Sequence, residues 1–235
     1  MIKQVALSGT NDELAEILKP LWSMLTVAQQ EELKEKTAVK RYHKNSLIYH
    51  EGEEPRAIMC AITGKVKVYK DGINGRQQIV RVFKPGQLFA YRAHFAHQNY
   101  LTKAVALEKS IILEMPCALA DKLVKTNSKV ASYFIEILSE ALGDADTRTI
   151  NLTQKHIRAR LADALLFLKK NYGLSPEGWL DVDMSREDIA CLANMTTSNA
   201  IRTLSAFTGE GLVTTKGKKI RIDEAEQLQH IAKMG

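Results

Sequence analysis

The sequence predicts an α+β chain of two domains, and three observations carry that prediction. Between Val39 and Met115, short apolar stretches alternate with glycine turns. From Ser128 to Leu152 runs a proline-free stretch with helical periodicity. From Met184 to Ile222, two short helical patterns precede a small basic hairpin. At 235 residues the chain can bury a good core and divide once.

The first segment, 12–37, sets Leu14, Ile17, Leu18, Leu21, Leu25 and Leu33 among charges, and Pro20 interrupts the run. That pattern predicts two short helices. The period then changes. Val66 and Val68 alternate with Lys65 and Lys67, and Asp71-Gly72 and Asn74-Gly75 are turn signals. Ile79, Val80, Val82 and Phe83 follow, then Pro85-Gly86, then Ala104, Ala106 and Ile111 to Met115. Many short strands between glycine turns predict an antiparallel barrel or sandwich.

In the long helix, Ile135, Leu138, Leu142, Ala145, Thr149 and Leu152 are spaced by threes and fours, a heptad seam. A second stripe, Val130, Phe134, Ile137 and Ala141, faces elsewhere. One helix cannot bury both by itself. Either one stripe packs on the β domain while the seam pairs with a second copy, or a monomer buries one broad stripe. A hinge is expected near Thr153. His156 to Tyr172 then reads as a helix with Ile157, Leu161, Ala164, Leu165 and Leu168 inward, ended by Gly173. Trp179 to Val182 alternates like a short strand.

Ser185 and Asp188 have the spacing of a capping box, and Ile189, Ala190, Leu192 and Ala193 give the helix behind them an apolar side. Asn194 tolerates the left-handed conformation of a tight turn. Thr196 caps a second helix with Ala200, Leu204 and Phe207 on one face. Thr197, Ser198, Asn199, Arg202 and Thr203 lie on the other; none is acidic, and most can bond base edges or phosphates. Leu212-Val213, a turn at Gly217 and Ile220-Arg221-Ile222 make a hairpin carrying Lys216, Lys218, Lys219 and Arg221. Helix, turn, helix and basic hairpin is the pattern of a winged DNA reader. Two core helices beside a surface hairpin would give the same spacing.

Composition narrows the rest. The formal charge of +6 suits a polyanionic partner. Cys60, Cys117 and Cys191 are isolated, so neither a disulfide framework nor a zinc site is expected. No run reaches membrane-spanning length and the first residues lack a signal-peptide core, so a cytoplasmic protein without membrane contact is expected. No nucleophile–base pair, phosphate loop or metal motif points to an enzyme, and no cofactor is expected.

The stretch 184–222 resembles the winged helix-turn-helix of the cyclic-AMP receptor and fumarate-nitrate regulator (CRP/FNR) family of bacterial transcription factors. The resemblance rests on S-R-E-D-I-A at 185–190, the threonine-to-arginine spacing ending at Arg202, R-T-L at 202–204, G-L-V at 211–213 and K-x-I-x-I at 218–222. Upstream, E-G-E-E-P at 51–55, T-G-K-V-K-V-Y at 63–69 and P-G-Q-L-F at 85–89 resemble the family's cyclic-nucleotide-binding-type β-roll, a double-stranded jelly roll, with Gly52, Gly64 and Gly86 at its turns. The resemblance implies a β-roll with flanking helices over 1–127, a dimerisation helix over 128–152 and a winged helix-turn-helix domain over 153–235. It implies DNA contacts from Ser185, Arg186, Thr196, Thr197, Ser198, Asn199, Arg202, Lys216, Lys218 and Lys219, and pairing of two copies through Ile135, Leu138, Leu142 and Ala145. Expected partners are double-stranded DNA and a second copy, with RNA polymerase as a further candidate.

Two departures from the family pattern matter. The family's first recognition-helix turn commonly carries Arg-Glu, where this chain has Thr197 and Ser198, so a different operator is expected. Nucleotide-binding members follow the Pro-Gly turn with F-G-E and later an arginine; here Phe89-Ala90-Tyr91 and Tyr100 stand there, with Asn99 or Leu101 if the register slips. Arg92 is the only nearby cation. A pocket made of Phe89, Tyr91, Arg92 and Tyr100 is expected to reject cyclic AMP, because an enclosed phosphate needs a cationic partner. His94 and His97, three apart in the loop 92–99, read either as a haem or metal site or as ordinary histidines. The iron–sulfur mode of some members needs an N-terminal cysteine cluster, which this sequence lacks. The expected function is a homodimeric, sequence-specific regulator at near-palindromic sites with an unknown effector; the alternative is an effector-binding module acting through a protein partner.

Overall fold

The computed structural model describes residues 4–5, 11–72 and 77–234. The chain forms two compact units, Met1–Lys70 with Val80–Leu142, and Asp71–Ile79 with Gly143–Gly235.

After β1 (Gln4–Val5), the first unit has three short helices rather than the two expected: α1 (Asn11–Ile17), α2 (Lys19–Trp22) and α3 (Val27–Lys36). Pro20 lies in the first turn of α2, where a missing N–H costs no hydrogen bond, so it opens a helix as well as ending one. Thr26 caps α3 reciprocally with Gln29. The leucines of this segment, from Leu14 to Leu33, are buried.

The strands are β2 (Ala38–Tyr42), β3 (Leu47–Tyr49), β4 (Ala57–Thr63), β5 (Val66–Asp71), β6 (Gln77–Phe83), β7 (Leu88–Phe89), then, after helix α4 (Tyr91–Phe95), β8 (Lys103–Ala106) and β9 (Ser110–Pro116). One sheet has the order β1-β2-β9-β4-β7 and the other β3-β8-β5-β6. Their facing side chains, among them Tyr42, Tyr49, Met59, Val66, Phe89, Tyr100 and Ile112, form one core. This is the expected β-roll. The proposed turn at Asn74-Gly75 lies outside the described residues. Gly64 has φ +77°, and a Cβ there would stand 2.2 Å from Ser110 Oγ and 2.8 Å from the Lys109 carbonyl oxygen, so the turn requires glycine.

A second core lies between the first sheet and the helices. Leu18, Leu21, Leu33, Leu113 and Met115 meet α5 (Cys117–Thr126) through Leu119 and Leu123, and α6 (Ser128–Gln154) through Val130 and Phe134. The α5 helix was not anticipated. Arg81 on β6 donates through Nη2 to the Ala141 carbonyl of α6, at 2.8 Å.

In the second unit, α7 (Ile157–Tyr172) packs on α10 (Ala225–Met234), another helix not anticipated. Between them come α8 (Arg186–Leu192), α9 (Thr197–Gly209) and the hairpin β10 (Val213–Lys216) and β11 (Lys219–Ile222). Trp179–Val182 does not form the expected strand. Only an isolated bridge between Leu174 and Leu180 is present, and the Leu180 N–H donates to the Ile220 carbonyl at 2.8 Å.

Candidate nucleic-acid interface

The helix pair is built from its ends inward. Asp188 N–H donates to Ser185 Oγ at 3.0 Å, and Ser185 N–H to Asp188 Oδ2 at 3.3 Å, so both arms of the capping box are made. The α8 helix stops at Ala193. Asn194 follows with φ 49°, and the Met195 N–H returns to the Ala190 carbonyl at 2.9 Å. Thr196 Oγ1 then accepts from the Asn199 N–H at 3.2 Å and starts α9. A left-handed residue between two capped helices fixes the turn.

Ala200, Leu204 and Phe207 pin α9 to the core. Arg158 of α7 reinforces this from outside: its guanidinium pairs with Glu210 and lies over the Phe207 ring, 4.8 Å from its centroid. With that face fixed, Thr197, Ser198 and Arg202 are exposed, while Asn199 and Thr203 are half-buried. Arg202 Nη2 donates to Asn199 Oδ1 at 2.9 Å, which aligns an amide and a guanidinium side by side on the helix surface.

The β10–β11 hairpin exposes Lys216, Lys218 and Lys219 around Gly217. Arg186, at the start of α8, donates through Nη2 to the Gly217 carbonyl at 2.8 Å, and its Nη1 is buried without an acceptor. Burial pulls its guanidinium below the usual arginine value. Arg186 thus ties the hairpin tip to the helix pair, a role its sequence position does not reveal. Arg221 belongs to the hairpin's own framework: Nε donates to Asp223 Oδ1 at 2.7 Å, and the guanidinium lies over Trp179. Burial alone would raise the Asp223 carboxyl; hydrogen bonds from Thr214 and Arg221 outweigh it and hold the group below its usual range.

Of the four candidate pocket residues, two share one core and the other two lie outside it. Phe89 and Tyr100 sit in the core between the sheets. Tyr91 sits in the other core and packs against Phe134, with ring centroids 6.1 Å apart. Arg92 is exposed and donates to Gln98 Oε1 at 3.2 Å. Ala90 is left-handed, φ 69°, and starts α4, so the segment expected as the loop 92–99 begins as a helix. Burial raises the hydroxyl pKa values of Tyr91 and Tyr100, and among the described residues Tyr100 Oη has no hydrogen-bond partner. His94 Nε2 lies 2.7 Å from Asp121 Oδ1, and His97 is left-handed with φ 52°. Among the described residues no group of three or more His, Cys, Asp or Glu is arranged to hold a metal ion.

On α6, Val130 and Phe134 are buried, whereas Ile135 and Leu142 are 65% and 64% exposed in the single chain. Ala145 is exposed too, and Leu138 is half-buried against the helical core. The two stripes therefore separate, with Leu138 on the border. No helix among the described residues is long and apolar enough to cross a membrane.

A roll of this kind followed by a winged helix-turn-helix defines a DNA-binding transcriptional regulator. Family models agree: residues 39–127 match the cyclic nucleotide-binding domain and residues 159–231 the Crp-like helix-turn-helix domain. The chain belongs to the CRP/FNR family of transcriptional regulators. It is 27% identical to the regulatory protein HlyX of Actinobacillus pleuropneumoniae over 192 residues, covering 80% of this chain and 79% of that one. It is 26% identical to the cyclic AMP receptor protein of Thermus thermophilus, covering 81% and 86%. The structure of FixK2 from Bradyrhizobium japonicum shares the fold, with a TM-score of 0.76 at 23% identity over 83% of this chain and 96% of that one.

Proposed function

We propose that this regulator binds near-palindromic duplex DNA as a homodimer and does not take cyclic AMP as its effector. The observation that carries the DNA reading is the polar, acid-free outer face of α9, held beside the exposed lysines of the β10–β11 wing. In this reading Thr197, Ser198, Asn199 and Arg202 meet base edges, and Arg202 is the bidentate guanine reader. Lys216, Lys218 and Lys219 meet phosphates. Ser185, Arg186 and Thr196 hold the helix starts and the wing against the backbone.

The exposed apolar seam of α6 supports the pairing of two copies through Ile135, Leu142 and Ala145, with Leu138 at its edge. The division of labour follows the order roll over 1–127, dimerisation helix over 128–152 and DNA-binding domain over 153–235. In this reading Tyr100, which is buried, takes the position of the phosphate arginine of nucleotide-binding members, and its burial supports a degenerate pocket. The proposed setting is the cytoplasm, with RNA polymerase as the partner such a regulator meets at a promoter.

Selection of bound sites from random duplex DNA tests the reading. Recovery of an inverted repeat with half-site centres one helical turn apart, about 34 Å, is expected. Recovery of single half-sites would count against the dimer; recovery of no enriched sequence would count against specific reading.

A further inference from the structure

A cleft within the second unit, between the C-terminal part of α6, α7 and the end of α8, includes Leu152, the last position of the expected seam, and none of the residues assigned to DNA contact. Its volume is about 190 Å³. Leu152, Ala164, Phe167 and Leu192 make its apolar walls. Arg160 also lines it, and the Nε of Arg160 is buried with no hydrogen-bond partner among the described residues. A buried N–H without an acceptor is unfavourable, and an arginine N–H is best satisfied by an anion.

The other charges around the cleft do not meet that need. Asp163 is one of them, and its Oδ2 is held by Lys155 Nζ at 2.5 Å. Asp144 and Arg148 both line the cleft from α6, four residues apart, a spacing at which opposite charges are neighbours on a helix. Arg160 is then the excess positive group beside an apolar wall.

We propose that this cleft binds a small organic carboxylate, its anionic head on Arg160 and its apolar body against Phe167 and Leu192. The volume is below the roughly 300–1,000 Å³ of sites for drug-sized ligands, which limits the occupant to a short aliphatic or single-ring acid. A monoanion fits better than a phosphate, because a second negative charge would lie near Asp144 without a cation of its own. Leu192 and Ala193 close α8, and the recognition helix begins at Thr197, so the occupant would sit behind the DNA-reading elements.

Isothermal titration of the full chain with acetate, hexanoate, benzoate and inorganic phosphate tests the proposal. Saturable binding of hexanoate or benzoate is expected. Arg160→Gln should weaken it at least tenfold. Thr147→Glu, an exposed α6 position that lines the cleft and tolerates a good helix former, should weaken it similarly by placing a carboxylate in the site. Failure of all three carboxylates to bind, or wild-type binding in both variants, would overturn the proposal. Phosphate binding more tightly than benzoate with the same Arg160 dependence would overturn the assignment of a carboxylate.

Discussion

The rings of Tyr49 and Tyr100 stack inside the roll, with centroids 3.8 Å apart and planes 20° from parallel. Both residues are buried. In the proposed register Tyr100 takes the place of the arginine of nucleotide-binding members, and stacking there would replace charge with ring surface.

Losing a charge-assisted contact to an enclosed phosphate costs roughly 1.5–3 kcal/mol, before the bulk of the stacked pair is counted. Calorimetry with cyclic AMP and cyclic GMP should therefore show no micromolar binding. Micromolar affinity lost in Arg92→Ala would mean that Arg92 leaves Gln98 and supplies the missing charge.

The seam prediction is sharpened by burial. Leu138 leans on the helical core, so substituting it would disturb the fold and the pairing together. Ile135 and Leu142 are the cleaner pair. The double variant Ile135→Asp, Leu142→Asp should sediment as a folded monomer; a folded dimer would place the contact elsewhere.

Arg202 and Lys218 should separate base reading from phosphate binding. Arg202→Ala is expected to cost about 1–3 kcal/mol on the preferred site and to relax one base position. Lys218→Ala should weaken all sequences alike and lower the salt slope by about one unit. Identical behaviour in quantitative gel shifts over a salt series would refute the division.

Arg186 gives a different signature. Its bond to the Gly217 carbonyl fixes the wing, so Arg186→Ala should speed amide exchange at residues 216–219 while α9 stays protected. Unchanged exchange in the wing would show that the hairpin holds its own tip.

The helix-turn-helix was legible because its signals are local. Ser185, Asp188 and Thr196 bond backbone within one turn of themselves, and Asn194 takes the left-handed conformation its residue type tolerates. The buried residues Val130 and Phe134 of α6 were legible for a related reason, since helical periodicity sets them apart from the exposed Ile135 and Leu142. What failed depends on distant partners. Trp179–Val182 alternates well, but β11 beside it accepts one hydrogen bond from the Leu180 N–H, at the Ile220 carbonyl, and offers no continuing edge. The α4 helix starts at a left-handed Ala90, whose methyl side chain has no polar group to signal a cap. Arg160 is a missed residue with a weak signal: it falls beside Ile157, Leu161 and Ala164 on the inward side of α7, an odd place for a charge.

The strand order of the roll has a consequence for how the chain is made. β9 lies between β2 and β4, with Ala38 opposite Glu114 and Cys60 opposite Leu113. During synthesis, β2 and β4 leave the ribosome long before the strand that belongs between them. Their pairing with β9 must wait for a loop closure of high entropy, so the roll is expected to close more slowly than the chain's local elements. The winged hairpin, by contrast, pairs Lys216 with Lys219 across a short turn and can close as soon as it emerges. A chain arrested before Ser110 would expose the unpaired edges of Ala38–Tyr42 and Ala57–Thr63, the kind of surface that chaperones bind and that aggregates without them.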